Sequence, residues 1–247
     1  MDSEFLFIGH RGTRTDFDEN TIIAFEKALD SGANCIEFDV RRSKDGNLII
    51  LHDPNLDRTT RSSGLLKSLH LNEIKEIRTK NYGSKIPTLS EVLKVLKGKT
   101  KFMIELKVDN IYNKIIKIVN KFGLLDDCIF SGRNLQELIA IKKVYNESRI
   151  CYNITKGLGF TLNDLLNFKS LLKKDIKPDM ISLRSSLVSK KFILICHEFK
   201  IKSLAWDFIL YKNPISKIKS LVDLGIDGIL FDNYKNIETI KRLFCKN

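Results

Sequence analysis

The most informative part of the chain is NCIEFDVRRSKDGNLIILH, residues 34–52. Its two apolar runs, 34–40 and 47–51, predict β-strands, because short apolar runs bounded by turn residues are typical of buried strands. The link from Val40 to Asn47 is too short for the helical crossover that parallel strands need, and Asp45-Gly46 is a strong signal for a tight turn. We therefore expect an irregular, helix-free connection around residues 40–47, whose geometry the sequence leaves open.

Short apolar runs alternate with helix-like periodic segments along the rest of the chain. Strands are predicted at 5–9, 34–40, 47–51, 101–106, 127–131, 149–154, 179–183, 202–207 and 227–231. Helices are predicted near 20–31, 71–79, 89–97, 110–122, 134–146, 161–172, 188–199, 213–224 and 235–244, with N-caps at Asn20, Ser90, Asn134 and Asn163. This rhythm predicts βα units around a parallel sheet.

Nine predicted strands compete for the eight places of a TIM (β/α)8 barrel, and the conflict lies at residues 40–47. A closed barrel is favoured over an open sheet, because polar residues recur at the C-terminal ends of many strands, where barrel active sites lie. We predict the α/β fold class and one TIM-barrel domain over residues 1–247.

Composition narrows the classes of partner. The formal net charge is +12, from 42 basic and 30 acidic residues, which favours anionic partners. The lysines are spread along helical faces, as at Lys114, Lys117 and Lys121, so a solvated lysine-rich surface is the simpler explanation. No arginine-rich arm or zinc-finger pattern accompanies the charge, and we expect no nucleic-acid partner.

The absence of certain sequence features predicts the cellular compartment of the protein and the redox state of its cysteines. The start Met1-Asp2-Ser3-Glu4 is not basic and the apolar run after it is short, so we expect no secretory signal. No run approaches the roughly 20 apolar residues of a membrane span, and we expect a cytoplasmic protein. Five scattered cysteines without a CxxC pair predict buried thiols rather than disulfides or a zinc site.

Two histidines stand at predicted strand ends, in Gly9-His10-Arg11-Gly12 and Leu51-His52-Asp53-Pro54. Either alone could be structural. As a pair they are complementary, because one can take a proton from an attacking hydroxyl while the other gives one to a leaving alkoxide. Arg11 offers a planar fork to phosphate oxygens. His70 and His197 lack a polar partner pattern, and we leave them as surface or core residues.

Charged residues two positions apart share a face in one predicted strand and at the end of another. Glu37 and Asp39 are two apart, so both point to the same side, which is costly in a barrel interior unless a cation lies between them. A solvent-facing acidic pair is the alternative. Oxygen ligands suit one hard divalent cation, Mg²⁺ or Ca²⁺. Glu105 could complete that site, and Lys107, on the same face, could neutralise a phosphate oxygen. Together these groups match what phosphodiester hydrolysis requires.

These motifs resemble the signature of the glycerophosphodiester phosphodiesterase family. The resemblance rests on His10-Arg11-Gly12, Glu19-Asn20-Thr21, Ala24-Phe25, Gly32-Ala33, Glu37-Phe38-Asp39-Val40, Asp45-Gly46, His52-Asp53, Leu56-Asp57-Arg58-Thr59-Thr60, Ile86-Pro87-Thr88-Leu89, Glu105-Leu106-Lys107, Ala205-Trp206, Gly225-Ile226-Asp227-Gly228-Ile229 and Asp232. It implies a TIM barrel that hydrolyses glycerophosphodiesters to an alcohol and sn-glycerol 3-phosphate with a divalent cation. The resemblance also assigns roles: His10 and His52 as the acid–base pair, Glu37, Asp39 and Glu105 as metal ligands, Arg11 and Lys107 as phosphate contacts, and Trp206 at the glycerol or head-group side.

The chain departs from this family pattern at two places. Asp18 stands where proline is usual, which we expect to loosen the start of the first helix. Asp207-Phe208-Ile209 replaces a common Thr-Val-Asn, and Phe208 would share a face with Trp206 if the strand continued, making that wall more apolar. Substrate preference is the property that these changes put in question.

Two other functions fit the same motifs. A lysophospholipase D or related phospholipase acting on lipid phosphodiesters is the nearest alternative, and a non-catalytic barrel that binds phosphorylated ligands or membranes is the second. Peripheral membrane contact is compatible with the basic charge. The leaving alcohol, the choice between Mg²⁺ and Ca²⁺, direct water attack against a cyclic phosphate, the roles of the two histidines and the oligomeric state stay open.

Overall fold

The computed structural model describes residues 4–155, 160–167 and 177–244. Strands in these ranges lie close to the predicted apolar runs. They are β1 (Leu6–Gly9), β2 (Cys35–Arg42), β3 (Leu48–Ile50), β4 (Lys101–Leu106), β5 (Cys128–Gly132), β6 (Arg149–Asn153), β7 (Met180–Arg184), β8 (Lys202–Trp206) and β9 (Gly228–Phe231).

Helices lie in the connections between these strands, except in the link from β2 to β3. They are α1 (Ile22–Asp30), α2 (Leu71–Glu76), α3 (Leu89–Leu96), α4 (Tyr112–Lys121), α5 (Leu135–Val144), α6 (Leu162–Asn167), α7 (Lys190–Glu198), α8 (Pro214–Asp223) and α9 (Lys235–Phe244). Of the predicted helix 161–172, residues 168–172 lie outside the described residues. Among the described helices, none is both long enough and apolar enough to cross a membrane.

The sheet closes on itself as a TIM barrel. Its parallel strands follow the order β1-β9-β8-β7-β6-β5-β4-β2, and β1 pairs with β2 to complete the ring of eight. The predicted fold is therefore confirmed. Closure brings the carboxyl ends of all eight strands around one opening, which is where active sites lie in this fold.

The ninth strand lies outside that ring. β3 pairs antiparallel with the end of β2, with Val40 opposite Ile50 and Arg42 opposite Leu48. Residues 43–47 form the turn between them, where Ser43 N donates to Asn47 O at 2.9 Å and Gly46 adopts a φ of 81°. The helix-free connection is confirmed, and it is a β-hairpin that needs no crossover.

Alternation along the strands separates an inner core from an outer one. Leu6, Ile8, Cys35 and Met103 belong to the cluster inside the barrel. Their strand neighbours, such as Phe7, pack outward against the helices. Because side chains alternate, the residues two and four after Cys35, and two after Met103, also point inward. These positions hold the three acidic residues of the predicted metal site.

Most helix N-caps differ from those predicted. α1 begins after Thr21 rather than Asn20, and Thr21 Oγ1 accepts from Ala24 N. α3 is capped by Thr88 in a capping box with Glu91, rather than by Ser90. The predicted cap Asn134 is confirmed at α5. Asn163 lies within α6, where Thr161 Oγ1 instead accepts from Asp164 N. In each wrong case a threonine within two residues of the predicted position satisfies the free backbone N–H instead.

Asp18 does not loosen the start of α1. Its carboxylate is buried and accepts hydrogen bonds from Asn81 Nδ2 at 2.7 Å and from Tyr82 N at 2.8 Å. Its carbonyl accepts from Thr21 Oγ1 at 2.7 Å. The expected loosening is therefore wrong, because the carboxylate ties the β1–α1 loop to the segment between α2 and α3.

Four of the five cysteines are buried free thiols, as predicted: Cys35, Cys128, Cys151 and Cys196. Cys245 lies outside the described residues. Burial raises the pKa of the Cys35 and Cys196 thiols to about 12, which keeps them protonated at neutral pH.

Candidate active site

Three carboxylates meet inside the carboxyl end of the barrel. Glu37 and Asp39 point inward from β2, and the parallel register places Asp39 beside Glu105 of β4. Glu37 is 1% exposed and Asp39 is fully buried, so the alternative of a solvent-facing acidic pair is excluded. One oxygen from each of the three carboxylates lies within 4.8 Å of the others. The spacing of two residues on a strand and the barrel register together create this cluster.

Two basic residues offset part of the clustered negative charge. Lys107 Nζ lies 2.9 Å from Glu105 Oε1 and 3.4 Å from Asp39 Oδ1. Arg11 Nε lies 3.2 Å from Asp39 Oδ2, to which Asn20 Nδ2 also donates at 2.8 Å. Burial alone would raise the pKa of Asp39, but the charges of Lys107 and Arg11 outweigh it and hold that pKa well below its usual range.

The negative charge of the Glu37 carboxylate is offset by fewer contacts than that of Asp39. Its Oε2 accepts from Arg11 N at 2.7 Å, whereas its Oε1 is buried without a hydrogen-bond partner among the described residues. Burial, followed by the charges of Asp39 and Glu105, raises its pKa well above the usual value. An orphaned carboxylate oxygen within an all-oxygen cluster fits a hard divalent cation, since a cation would supply the missing partner.

His10 follows β1 and bonds a carboxylate from the far end of the chain. Its Nδ1 lies 2.8 Å from Asp232 Oδ1, just after β9, and its Nε2 lies 4.0 Å from Glu37 Oε2. Asp232 is fixed in turn, because it accepts from Arg14 Nη1 at 2.9 Å and from Phe208 N at 2.6 Å. The ring is thereby oriented with Nε2 toward the acidic cluster.

His52 is held in a similar way by its neighbour. Its Nδ1 lies 2.5 Å from Asp53 Oδ1, and Arg58 Nε donates to the other oxygen of Asp53 at 2.6 Å. Arg41 Nε donates to the His52 carbonyl at 2.8 Å. Burial, together with the charges of Arg11 and Lys107, lowers the pKa of His52, so its neutral form is favoured at neutral pH.

The loop after β1 has an unusual backbone that the sequence explains. Arg11 adopts a φ of 53° and Gly12 a φ of 75°. A Cβ on Gly12 would lie 2.5 Å from Ala24 C, so only glycine fits against α1 at this position. Arg11 is 8% exposed, and its Nη1 donates to Glu19 Oε1 at 2.8 Å.

These groups border a single cavity of about 420 Å³ at the carboxyl end of the barrel. The cavity brings together His10, Arg11, His52, Glu105, Lys107 and Trp206. Its opposite wall contains Arg133, Asn153, Thr155, Ser182, Arg184, Asp207, Ile209 and Leu210. The sequence-predicted site residues thus share one location, while Glu37 and Asp39 are buried beside it.

The expectation for Phe208 is wrong. β8 ends at Trp206, and Asp207 adopts a φ of 68°, so the strand alternation does not continue to Phe208. Phe208 is buried in the outer core, with its ring 6.2 Å from that of Tyr211. The apolar groups at the cavity mouth are instead Ile209 and Leu210, which are 41% and 89% exposed.

Sequence reasoning gave no role to several residues that shape the site. The sequence motifs include Asp232 without a role, although its position directly after the last strand is a signal for the barrel opening. The position of Asp53, directly after His52, is itself a sequence signal for a carboxylate partner of that histidine. Arg133 and Arg184, at the ends of β5 and β7, carry the same signal.

The two remaining histidines lie away from the cavity, as expected. His70 is the N-cap residue of α2, and Glu73 Oε2 accepts from its backbone N–H at 2.7 Å. His197 is exposed on α7, with its Nε2 2.9 Å from Asp227 Oδ2.

Comparisons with known proteins agree with this geometry. The Glycerophosphoryl diester phosphodiesterase family matches residues 10–236. A glycerophosphodiester phosphodiesterase of Caldanaerobacter subterraneus subsp. tengcongensis is 28% identical over 250 residues, covering 96% of this chain and 98% of the relative. A glycerophosphodiester phosphodiesterase of Bacillus subtilis is 34% identical, covering 94% of this chain and 84% of the relative.

Solved structures show the same fold. A glycerophosphodiester phosphodiesterase from Agrobacterium tumefaciens has a TM-score of 0.78 at 22% identity, covering 95% of this chain and 99% of that one. An Oleispira antarctica phosphodiesterase, in complex with the product sn-glycerol-3-phosphate, has a TM-score of 0.79 at 23% identity, covering 96% of both chains. The barrel and its relatives define an enzyme of the phosphoric diester hydrolase class. The chain belongs to the glycerophosphoryl diester phosphodiesterase family.

Proposed function

We propose that this protein hydrolyses glycerophosphodiesters to sn-glycerol 3-phosphate and an alcohol, using one divalent cation and the pair His10 and His52. The observation that carries the proposal is the shared location of two carboxylate-oriented histidines and a buried trio of carboxylates. The names of the curated relatives support the substrate class.

The cation, Mg²⁺ or Ca²⁺, would be held by Glu37, Asp39 and Glu105, whose ligand atoms are all oxygens. When bound, it would polarise a phosphoryl oxygen and neutralise charge that develops during the reaction. Lys107 and Arg11 lie beside the same carboxylates and would add positive charge toward the phosphate.

The two histidines would divide the proton transfers. One removes the proton from the nucleophile, which is water or a neighbouring glycerol hydroxyl, as the new P–O bond forms. The other gives a proton to the departing alkoxide as the old P–O bond breaks. Asp232 and Asp53 hold the Nδ1 atoms, so Nε2 of each ring exchanges the proton.

Release of sn-glycerol 3-phosphate tests the proposal. Purified enzyme is assayed on a panel of glycerophosphodiesters with and without chelator, and Mg²⁺ or Ca²⁺ is then restored. Chelation is expected to reduce turnover at least about a hundredfold, the scale on which loss of an electrostatic stabiliser acts. Full turnover in chelator would contradict the metal dependence, and a different phosphorylated product would contradict the reaction.

A second candidate, lysophospholipase D activity, is favoured by the exposed Ile209 and Leu210 at the cavity mouth. An acyl chain could lie against these side chains. Comparing glycerophosphocholine with lysophosphatidylcholine separates the two, since only the lipid contains that chain. Binding of phosphodiesters without turnover of any of them would instead indicate a non-catalytic barrel.

We further propose that residues 1–247 act as one domain in the cytoplasm, in glycerol and lipid metabolism. Peripheral membrane contact would occur through the exposed Ile209 and Leu210 at the cavity mouth. The buried free thiols fit a reducing compartment. Cell fractionation tests this location, and recovery of the protein outside the cell would contradict it.

A further inference from the structure

Basic side chains line the cavity beyond those that lie at the carboxylate cluster. Arg11 and Lys107 lie at the carboxylate cluster on the side of β1, β2 and β4. Three further arginines line the same cavity. Arg14 is paired with Asp232, and the other two are Arg133 after β5 and Arg184 at the end of β7. In the ring order, β7 is four strands from β2 in either direction, so Arg184 lies across the barrel from Glu37 and Asp39.

Both arginines have guanidinium groups available to a ligand. Arg133 is exposed and has no hydrogen bond or ion pair with any residue in the described ranges. Arg184 is bound through Nε, 3.2 Å from Asp207 Oδ2, and its side chain is 54% exposed. Its terminal nitrogens have no protein acceptor within the described part of the chain. A guanidinium with free donors is well suited to a carboxylate or a phosphate.

The tryptophan of the cavity is already covered by a cation. The guanidinium carbon of Arg184 lies 5.2 Å from the centre of the Trp206 ring. An aromatic face is the usual partner of a quaternary ammonium, but here such a group would have to displace Arg184 or lie beside it. Like charges at that distance repel, so a choline head group is disfavoured.

Polar groups between the two arginines complete the wall. Asn153 and Thr155 lie at and just after the end of β6, between β5 and β7. Asn153 Oδ1 accepts from Ser182 Oγ at 2.7 Å, which leaves its amide N–H groups directed elsewhere. Thr155 Oγ1 is buried without a hydrogen-bond partner among the described residues. Unpaired donors beside two guanidiniums suit the oxygens of an anion.

We propose that Arg133 and Arg184 bind an anionic group on the alcohol portion of the substrate, so that the enzyme prefers glycerophosphodiesters with a negatively charged head group over choline esters. The proposal rests on the glycerophosphodiesterase function proposed above. A carboxylate and a phosphate present the same chemistry to this wall, and the substrate panel separates them.

The experiment compares kcat/KM for glycerophosphoinositol and its inositol 4-phosphate derivative, which differ only in one phosphate. Glycerophosphoserine supplies a carboxylate, and glycerophosphocholine supplies a cation. We expect kcat/KM for the inositol 4-phosphate derivative to be at least about tenfold higher than for glycerophosphoinositol, whose head group is neutral. A roughly tenfold difference is the effect of one charge-assisted contact. Glycerophosphocholine is expected to rank lowest.

Variants assign the preference to the two arginines. Arg133→Gln and Arg184→Gln are each expected to reduce the ratio of phosphorylated to neutral substrate by roughly tenfold. The matched control is Arg242→Gln, which removes the same charge from an exposed site on α9 and should keep the wild-type ratio. Because each ratio is measured on one preparation, partial misfolding of a variant cancels. Arg184→Glu should raise kcat/KM for glycerophosphocholine.

The outcomes separate this inference from the function on which it rests. Equal kcat/KM for the phosphorylated and neutral substrates, or preference for the choline ester, would overturn the anionic preference while leaving the hydrolase function intact. Absence of turnover on every member of the panel would overturn the function itself. Unchanged ratios in both Gln variants would show that the preference arises elsewhere.

Discussion

Each cavity histidine has its Nδ1 beside an aspartate oxygen, which under the proposed mechanism leaves Nε2 to transfer the proton. Asp232 Oδ1 lies 2.8 Å from His10 Nδ1, and Asp53 Oδ1 lies 2.5 Å from His52 Nδ1. A carboxylate at Nδ1 fixes the tautomer and the ring orientation, and it stabilises the protonated ring during the reaction. Both aspartates are themselves held by arginines, Arg14 and Arg58, so the orientation depends on a small network rather than on one contact.

Replacing Asp232 by asparagine tests that network at His10. We expect kcat to fall about tenfold or more with KM little changed, because the histidine remains but is no longer held by a charge. Steady-state kinetics provide the measurement. The control is Asp227→Asn, at the opposite end of β9, where the carboxylate binds His197 and Ser203 N. If both variants lower kcat equally, Asp232 acts through stability and not through His10.

Glu19 provides a pH-dependent contribution to stability. Arg58 and Arg11 act against its burial and lower its pKa from 4.5 to about 2. A carboxylate whose pKa is lowered by folding stabilises the protein above its unfolded pKa and loses that contribution as pH falls through the folded one. Each pKa unit is about 1.4 kcal/mol, and allowance for the half-exposed Arg58 leaves about 1–2 kcal/mol.

The prediction for Glu19→Gln follows from that sign. Urea unfolding should show the variant less stable than wild type by about 1–2 kcal/mol above pH 4.5, with the difference shrinking toward zero near pH 2. A difference that is constant from neutral pH to pH 2 would mean that the glutamate acts through packing rather than through its charge.

At the scale of elements, the β1–α1 junction positions His10 and Arg11. Gly9 and Gly12 let this loop fold tightly against α1, and Gly12 N donates to Gly9 O at 3.1 Å. The backbone of Arg11, in the left-handed region, directs its N–H to Glu37. The proposed catalytic geometry therefore depends on the close approach of a loop to a helix.

A comparison of Gly12 with Gly98 distinguishes the effect of close packing from the effect of a left-handed backbone conformation. Gly12 and Gly98 have nearly equal φ values, 75° and 76°, but a Cβ on Gly98 would meet nothing within 4 Å. We expect Gly98→Ala to cost about 1 kcal/mol of unfolding free energy, and Gly12→Ala more than about 3 kcal/mol. Chemical denaturation measures both. Equal costs would show that the loop moves away from α1 freely.

Elements that follow from local patterns were predicted well. Apolar runs located all nine strands within about two residues at each end, because a buried strand needs only a short continuous run. The sequence does not predict the pairing of β3, since the pairing direction depends on the turn geometry at residues 43–47. Threonine caps were missed in favour of nearby Asn or Ser, because side chains with similar capping ability compete and tertiary contacts decide between them.

Parts of the site that depend on chain closure were less accessible. Spacing predicts that Glu37 and Asp39 share a face, and the sequence also proposes Glu105 as their partner. Only the β2–β4 pairing, however, places Glu105 beside Asp39. Asp232 is 222 residues from His10, so nothing local connects them. Phe208 was misplaced because a single left-handed residue, Asp207, ends the alternation on which the expectation depended.

At the scale of the whole molecule, the proposed cation would link the neighbouring strands β2 and β4 at the barrel opening. A ligand that binds only the folded state stabilises it according to its concentration. At a hundredfold excess over Kd we expect Mg²⁺ or Ca²⁺ to raise Tm by about 5–10 °C, as for a chain of this size. Differential scanning calorimetry with and without chelator measures the shift.

Variants identify the site of that stabilisation. Glu37→Gln should lose most of the shift in Tm. Glu137→Gln is the matched control, because Glu137 is also a buried glutamate whose pKa is raised by burial, but it lies on α5 outside the carboxylate cluster. Retention of the full shift in Glu37→Gln would contradict the assigned metal ligands.

The most direct test of the two-histidine mechanism compares His10→Ala and His52→Ala on two leaving groups. Turnover of glycerophosphoglycerol should fall at least about a hundredfold in each variant, the usual scale for acid–base groups. The p-nitrophenyl ester of glycerol 3-phosphate needs no proton on its leaving group, so it should restore turnover in the variant that lacks the acid and not in the other. Near-normal turnover of glycerophosphoglycerol by either variant, or no difference between the two esters in both, would contradict the mechanism.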